Sequence, residues 1–282
     1  MILNLVSNLG EGYNPDLILQ YNTSIAVNLK KFLEKAGHDV NLVKDHDNTA
    51  PEADHSIVIS NWAMNKIKAN HGYRRMLREV SRGKVALWLD AAFGGMDELY
   101  DVVLTVTPPY EASAPKFKWV GYAADPEVFY PQPGSEPTAF VDSYAFGWYN
   151  AEYDYVYDII KEVLEDIELK IIQPVTQYNT GKRVPWTQYA ALFRQCQFSV
   201  VTQLGGWGLT NIETATCGAL LVMNKAMDRP LSWPCKMNHA FWETKEELKD
   251  ILGRDVDLKA NRAVALESSW GDVVNRVEEA LR

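Results

Sequence analysis

Val200–Asn224 reads VVTQLGGWGLTNIETATCGALLVMN: an apolar strand, a glycine-rich loop, a helix that carries Glu213, and a second apolar strand. Strand, loop, helix and strand in that order form the repeating unit of a parallel α/β sheet. In such sheets ligands lie beyond the carboxyl ends of the strands, where loop N–H groups and a helix N-terminus present partial positive charge. Gly205, Gly206 and Gly208 give this loop the backbone freedom to come close to an anionic ligand, with Trp207 and Leu209 beside them. Thr210 or Asn211 would cap the helix or hydrogen-bond a ligand. Glu213 has two readings at this point. It is a solvated residue on a helix or, if the helix begins near Leu209, a carboxylate that accepts a pair of hydrogen bonds from a sugar or ribose diol.

The residues around this stretch extend the same pattern. Thr138 to Phe146 reads as a strand, followed by a helix with Val156, Ile159, Ile160, Val163 and Leu164 on one face and a strand at Leu169 to Ile172. Gly181-Lys182-Arg183-Val184-Pro185-Trp186 then leads into a helix through Tyr189, Leu192 and Phe193. Lys182 and Arg183 serve either as counter-charges for a diphosphate or as a solvated loop pair. Beyond Val222 the segment to Trp242 reads as a long loop, with Lys225 at its head within reach of phosphates. His239 has no partner at metal-ligand spacing, and no metal site is expected. Thr244 and Glu247 form a capping box for a helix to about Leu252, and Val273, Val274, Val277 and Leu281 mark a last helix.

The N-terminal half repeats the theme. Strands are expected at Ile2 to Val6, Ile57 to Ile59, Val85 to Leu89, Val102 to Val106 and Phe117 to Val120, with a helix through Ile25, Leu29, Phe32 and Leu33 ending at Gly37. At least one more helix is expected between Asn65 and Arg82. Gly10 and Gly12, after the first strand, let that loop approach phosphates or simply turn. Asp90 directly follows the strand VALWL and precedes Gly94 and Gly95. A carboxylate there acts as a base toward an acceptor hydroxyl or caps a turn; Glu11, Asp16 and His71 are weaker candidates for the same work. Gly121 to Pro137, with its four prolines, reads as an ordered crossing between two halves.

Composition limits the function classes. The 282 residues suffice for one large or two medium domains, and 47% apolar residues fill sizeable cores. With 28 basic against 37 acidic residues the formal charge is −9, which disfavours a broad grip on nucleic acid. Cys196, Cys217 and Cys235 lack metal-ligand spacing and read as free thiols in a reducing compartment. No run reaches the roughly 18 apolar residues of a membrane span, so a cytoplasmic protein is expected.

Gly208-Leu209, then Glu213, then Cys217-Gly218-Ala219 before an apolar strand, resembles the donor-site signature of nucleotide-sugar glycosyltransferases with the GT-B fold, above all the retaining glycosyl transferases group 1 family. Asp125, Phe129 and Pro131 in GYAADPEVFYP resemble the interdomain segment of the same enzymes, and Gly37-His38-Asp39-Val40 their first helix-to-strand joint, in which His38 is structural. The resemblance implies an α/β, GT-B-like chain: two Rossmann-type domains with mostly parallel sheets facing a cleft, at 1–130 (acceptor side) and 131–265 (donor side), with 266–282 packing back across the cleft. It further implies that Glu213 holds the ribose, that Gly206, Trp207, Gly208, Leu209, Thr210 and Asn211 surround the diphosphate and sugar, and that the loop at Val184 meets the base. Lys182, Arg183, Lys225, Gly10 and Gly12 would complete the donor site, and Asp90 would be the catalytic group. Two departures stand out. Eight residues before Glu213, where the family has a second Glu against the donor sugar, this chain has Gly205, and FGWYNAEYDY lacks the family's basic residue.

The expected activity is transfer of a sugar from a nucleotide-sugar donor to an acceptor hydroxyl, without metal or cofactor. The acceptor is open: a small molecule, a glycan or modified DNA. Three alternatives stay open beside it: transfer to hydroxymethylated pyrimidines in phage DNA, sugar-nucleotide epimerisation, and nucleotide-sugar binding without catalysis.

Overall fold

The structure, a computed structural model, describes residues 1–7, 17–18, 21–45, 47–59, 71–89, 100–106, 116–132, 134, 136–141, 153–172, 184–202, 209–227 and 237–282. The chain divides into two compact units, Met1–Gly121 with Trp270–Arg282, and Tyr122–Ser269. Among the described residues no helix is long and apolar enough to cross a membrane.

The first unit contains β1 (Ile2–Ser7), β2 (Leu17–Ile18), α1 (Tyr21–Lys35), β3 (Asp39–Lys44), β4 (His55–Ile59), α2 (His71–Val80), β5 (Val85–Leu89), β6 (Val102–Thr105) and β7 (Phe117–Trp119). Six of these strands form a parallel sheet in the order β3-β1-β4-β5-β6-β7. A sheet covered on both faces needs central strands that are apolar throughout, which is why β4, β5 and β6 read as runs, while the edge strands β3 and β7 are less buried and mixed in sequence. Leu3, Leu5, Val6, Ile57, Val58, Ile59, Val103 and Leu104 are wholly buried. α1 ends at Gly37, whose φ of 88° lets its N–H reach the carbonyl of Glu34 while that of His38 reaches Leu33.

The last helix of the chain, Trp270–Leu281, belongs to this unit. Trp270 stacks on Phe32 of α1 with ring centroids 5.5 Å apart. His38 Nε2 lies 2.8 Å from Glu278 Oε1, so His38 has the structural role expected of it. Arg276 donates to the carbonyl of Val120 and lies over the Trp119 ring.

The second unit contains β8 (Thr138–Val141), α3 (Asp154–Asp166), β9 (Lys170–Ile172), β10 (Val184–Pro185), α4 (Trp186–Arg194), β11 (Phe198–Val200), α5 (Leu209–Thr216), β12 (Leu220–Asn224), β13 (His239–Trp242), α6 (Lys245–Leu252) and α7 (Leu258–Ala265). The last helix of the chain is α8. The five-stranded sheet of the second unit is parallel in the order β13-β12-β11-β8-β9. The chain runs from β8 outward to β9 and then crosses back to β11, so the strand order reverses between β8 and β11. α6 carries the expected capping box, with Thr244 accepting from the N–H of Glu247 and Glu247 reaching back to that of Thr244.

One expectation is corrected here. The segment to Trp242 does not run as a loop throughout, because its end forms β13, paired with β12 from Leu221↔His239 to Asn224↔Trp242. β13 is an edge strand in which only Trp242 is buried and Phe241 is exposed. Such a strand shows neither an apolar run nor a period-two alternation.

Candidate functional site

In a parallel sheet every strand ends on the same edge, and a crevice opens where the strand order reverses. In the second unit that place lies between the carboxyl ends of β8 and β11. The Tyr157 hydroxyl of α3 donates to the carbonyl of Thr202 at 3.2 Å, which holds the helix following β8 against the chain leaving β11. The glycine-rich residues then lead in sequence to α5.

α5 is short and buried around almost its whole circumference. Leu209, Ile212 and Ala215 supply apolar packing, and three of its polar side chains find partners close by. Ser199 of β11 donates to Asn211 Oδ1 at 3.2 Å, Thr214 to the carbonyl of Asn211, and Thr216 to that of Ile212. Because the helix starts at Leu209, Thr210 and Asn211 lie inside its first turn. They do not cap it, and Asn211 is tied to the neighbouring strand.

Glu213 differs from its neighbours. It is 2% exposed, and among the described residues neither a hydrogen-bond donor nor a cation meets its carboxylate. Burial alone therefore pushes its pKa well above the usual carboxylate range. The elements packed on α5 do bring two arginines, but these are engaged elsewhere. Arg262 of α7 donates to the carbonyls of Pro126, Phe129 and Thr216, and Arg194 of α4 donates twice to that of Val128 and stacks on Tyr130. Cys196 and Cys217 are buried free thiols; burial pushes Cys196 up to about 12 and Cys217 further.

The end of α5 is fixed as firmly as its beginning. Gly218 has φ 94°, its N–H reaches the carbonyl of Ala215, and that of Ala219 reaches Thr214. Asn261 of α7 donates to the carbonyl of Gly218 at 3.1 Å. Glu213 is thus held on a helix that is anchored at Ser199 before it and at α7 behind it. Sequence reasoning missed Ser199, Arg194, Asn261 and Arg262, whose contacts run mostly to backbone carbonyls and leave no spacing signal.

The other candidates divide into those described and those not. Leu209 is core, and Thr210 is half-buried. Val184 opens β10, directly before α4. Lys225 follows the carboxyl end of β12, yet its ammonium lies 2.8 Å from Glu243, and both side chains are more than half exposed. A phosphate would have to compete with Glu243 for it. His71 heads α2. Gly10, Glu11, Gly12, Asp16, Asp90, Lys182, Arg183, Gly205, Gly206, Trp207, Gly208 and Cys235 lie outside the described residues. Among the described residues no group of side chains has the makings of a metal site.

No family model and no curated protein matches the sequence. Solved structures do. A glycosyltransferase of avilamycin A biosynthesis is similar over 100% of this chain and 97% of its own, at 14% identity and a TM-score of 0.56. The catalytic domain of starch synthase IV from Arabidopsis thaliana, bound to ADP and acarbose, is similar over 99% and 98% at 10% identity and a TM-score of 0.59. HepE of Anabaena, in complex with UDP and glucose, is similar over 98% and 97% at 11% identity and a TM-score of 0.53. The chain has the GT-B fold. In a GT-B chain this far diverged, the likeness is one of fold and says nothing about single side chains. What distinguishes the site here is its own geometry, the buried carboxylate of Glu213 on the helix after β11.

Proposed function

We propose that this GT-B protein is a glycosyltransferase that takes a nucleotide sugar as donor, with the ribose of the nucleotide on Glu213. The observation that carries the reading is a carboxylate 2% exposed, without a donor or cation among the described residues, on the helix that follows the reversal of strand order. A fold does not keep such a group for stability, since a buried carboxyl group without hydrogen-bond partners is costly whether protonated or charged. A ribose diol supplies the two missing O–H donors.

With the ribose there, the diphosphate would lie toward the N-terminus of α5, whose dipole favours negative charge. Lys182, Arg183 and Lys225 are the side chains to add positive charge. In the reaction the bond between the anomeric carbon and the diphosphate breaks, a bond to the acceptor oxygen forms, and the acceptor's proton passes to a base, for which Asp90 is the candidate. The leaving diphosphate is then stabilised by helix and basic side chains without a metal. Gly205, in place of the donor-sugar Glu of the resembling family, favours one second reading, nucleotide-sugar binding without turnover.

Of the similar structures one holds ADP and another UDP, so both bases belong in the test. Glu213→Gln should weaken binding of UDP-glucose or ADP-glucose by about 1–3 kcal/mol, as lost charge-assisted hydrogen bonds do. Calorimetry on both proteins measures this, and unchanged affinity in a folded variant removes Glu213 from the site. Donor hydrolysis and an acceptor screen separate the enzyme from the binder.

A further inference from the structure

We infer that nucleotide binding at Glu213 expels a proton, so that the site is weak at low pH and gains affinity as pH rises. This rests on the reading that Glu213 holds the ribose. The geometry behind it is the surroundings of the carboxyl group. α5 packs against α4, α7, β11 and β12. Of these, β11 and β12 bring no titratable side chain. α4 brings Arg194, and also Tyr189, whose side chain lies outside the described ones; α7 brings Arg262, and both arginines are engaged with backbone carbonyls, while Lys259 of α7 is exposed to solvent. Cys217, which follows α5, and Cys196, which follows α4, are thiols that burial keeps protonated. Neither guanidinium meets the carboxyl group of Glu213, and burial holds its pKa well above the usual carboxylate range in the free protein.

A bound diol changes the balance. Its two O–H groups need two acceptors side by side, which an ionised carboxylate offers and a neutral acid does not, and hydrogen bonds to the ionised form are about twice as strong. The ligand therefore stabilises the carboxylate, and the proton leaves to solvent. Between the carboxyl's pKa in the complex and in the free protein, affinity rises with pH by up to about tenfold per unit, and it levels off above the latter.

The test is calorimetry from pH 5.5 to 8.5 with UDP-, ADP-, GDP- and TDP-glucose, whose diphosphates are diesters and do not titrate near neutrality. Each titration is repeated in buffers of different ionisation enthalpy, which counts the protons released. The expected result is release of up to one proton on binding, with affinity rising over the lower part of the range, and neither effect in Glu213→Gln. Binding of any of these donors without proton release and with pH-independent affinity overturns the inference while leaving the nucleotide site intact. Failure of all four to bind at every pH overturns the nucleotide reading itself. Proton release that persists unchanged in Glu213→Gln assigns the proton to another group and also overturns the inference.

Discussion

Burial of Glu213 should lower the stability of the unliganded protein as pH rises above the ordinary carboxylate range. Its pKa is raised in the folded state by burial, so the folded protein holds a proton that the unfolded chain, with an ordinary carboxyl near 4.5, gives up. Stability falls wherever the folded state binds more protons than the unfolded one. The loss therefore begins as pH rises through about 4.5 and is complete above the folded-state pKa. Glu213→Gln keeps the shape and removes the titration. It should melt higher than the parent at pH 7. The difference should shrink as pH is lowered toward 4.5. Thermal unfolding of both proteins across pH measures it, and a lower melting temperature for the variant at every pH would show that the carboxylate has a stabilising partner. None of this was legible in the sequence. A helix buried on all sides has no polar face to place Glu213, so the solvated and the ligand-facing readings stood side by side until burial decided against solvation.

At the scale of elements, the joint between α5 and β12 shows what sequence does reveal. The helix that carries Glu213 and the apolar strand after it both formed as read, with Gly218 between them. Gly218 is required twice over. Its φ of 94° suits glycine, and a Cβ built there would stand 2.3 Å from the carbonyl oxygen of Leu258 at the start of α7. Gly218→Ala should cost roughly 2 kcal/mol or more, the left-handed backbone accounting for about 1–2 and the displaced α7 for the rest. Denaturant unfolding gives the number, and a loss below about 0.5 kcal/mol would mean that α7 gives way freely. α7 itself escaped sequence reasoning. Its LKANRAVA has few apolar residues, and it docks on α5 through Asn261 and Arg262, which bond to backbone carbonyls that no side-chain pattern advertises. α6 was legible for the opposite reason, because its capping box is written in side chains alone.

For the molecule as a whole, the two sheets share a logic that the run of apolar strands made legible, since each reverses its strand order beside the first strand of its unit. In the first unit the reversal lies between β1 and β4, with β5 the next strand along. β5 ends at Leu89, and Asp90 is the next residue in the chain. If a base toward the acceptor is supplied from the first unit, the carboxyl ends of these strands are where it belongs. A base of this kind gains importance as the acceptor oxygen attacks and contributes little to holding a nucleotide. Asp90→Asn should therefore lower turnover by roughly 10²-fold or more while leaving the affinity for the donor nucleotide nearly unchanged. A residue that merely caps a turn behaves differently, because its loss lowers the melting temperature and disturbs rate and affinity together. The measurement starts from the acceptor found by screening and compares steady-state rates, nucleotide titrations and thermal unfolding for the two proteins. Full turnover of the Asn variant at saturating acceptor would take Asp90 out of the reaction, and His71, Glu11 and Asp16 would then be the carboxylates and imidazole to replace in turn.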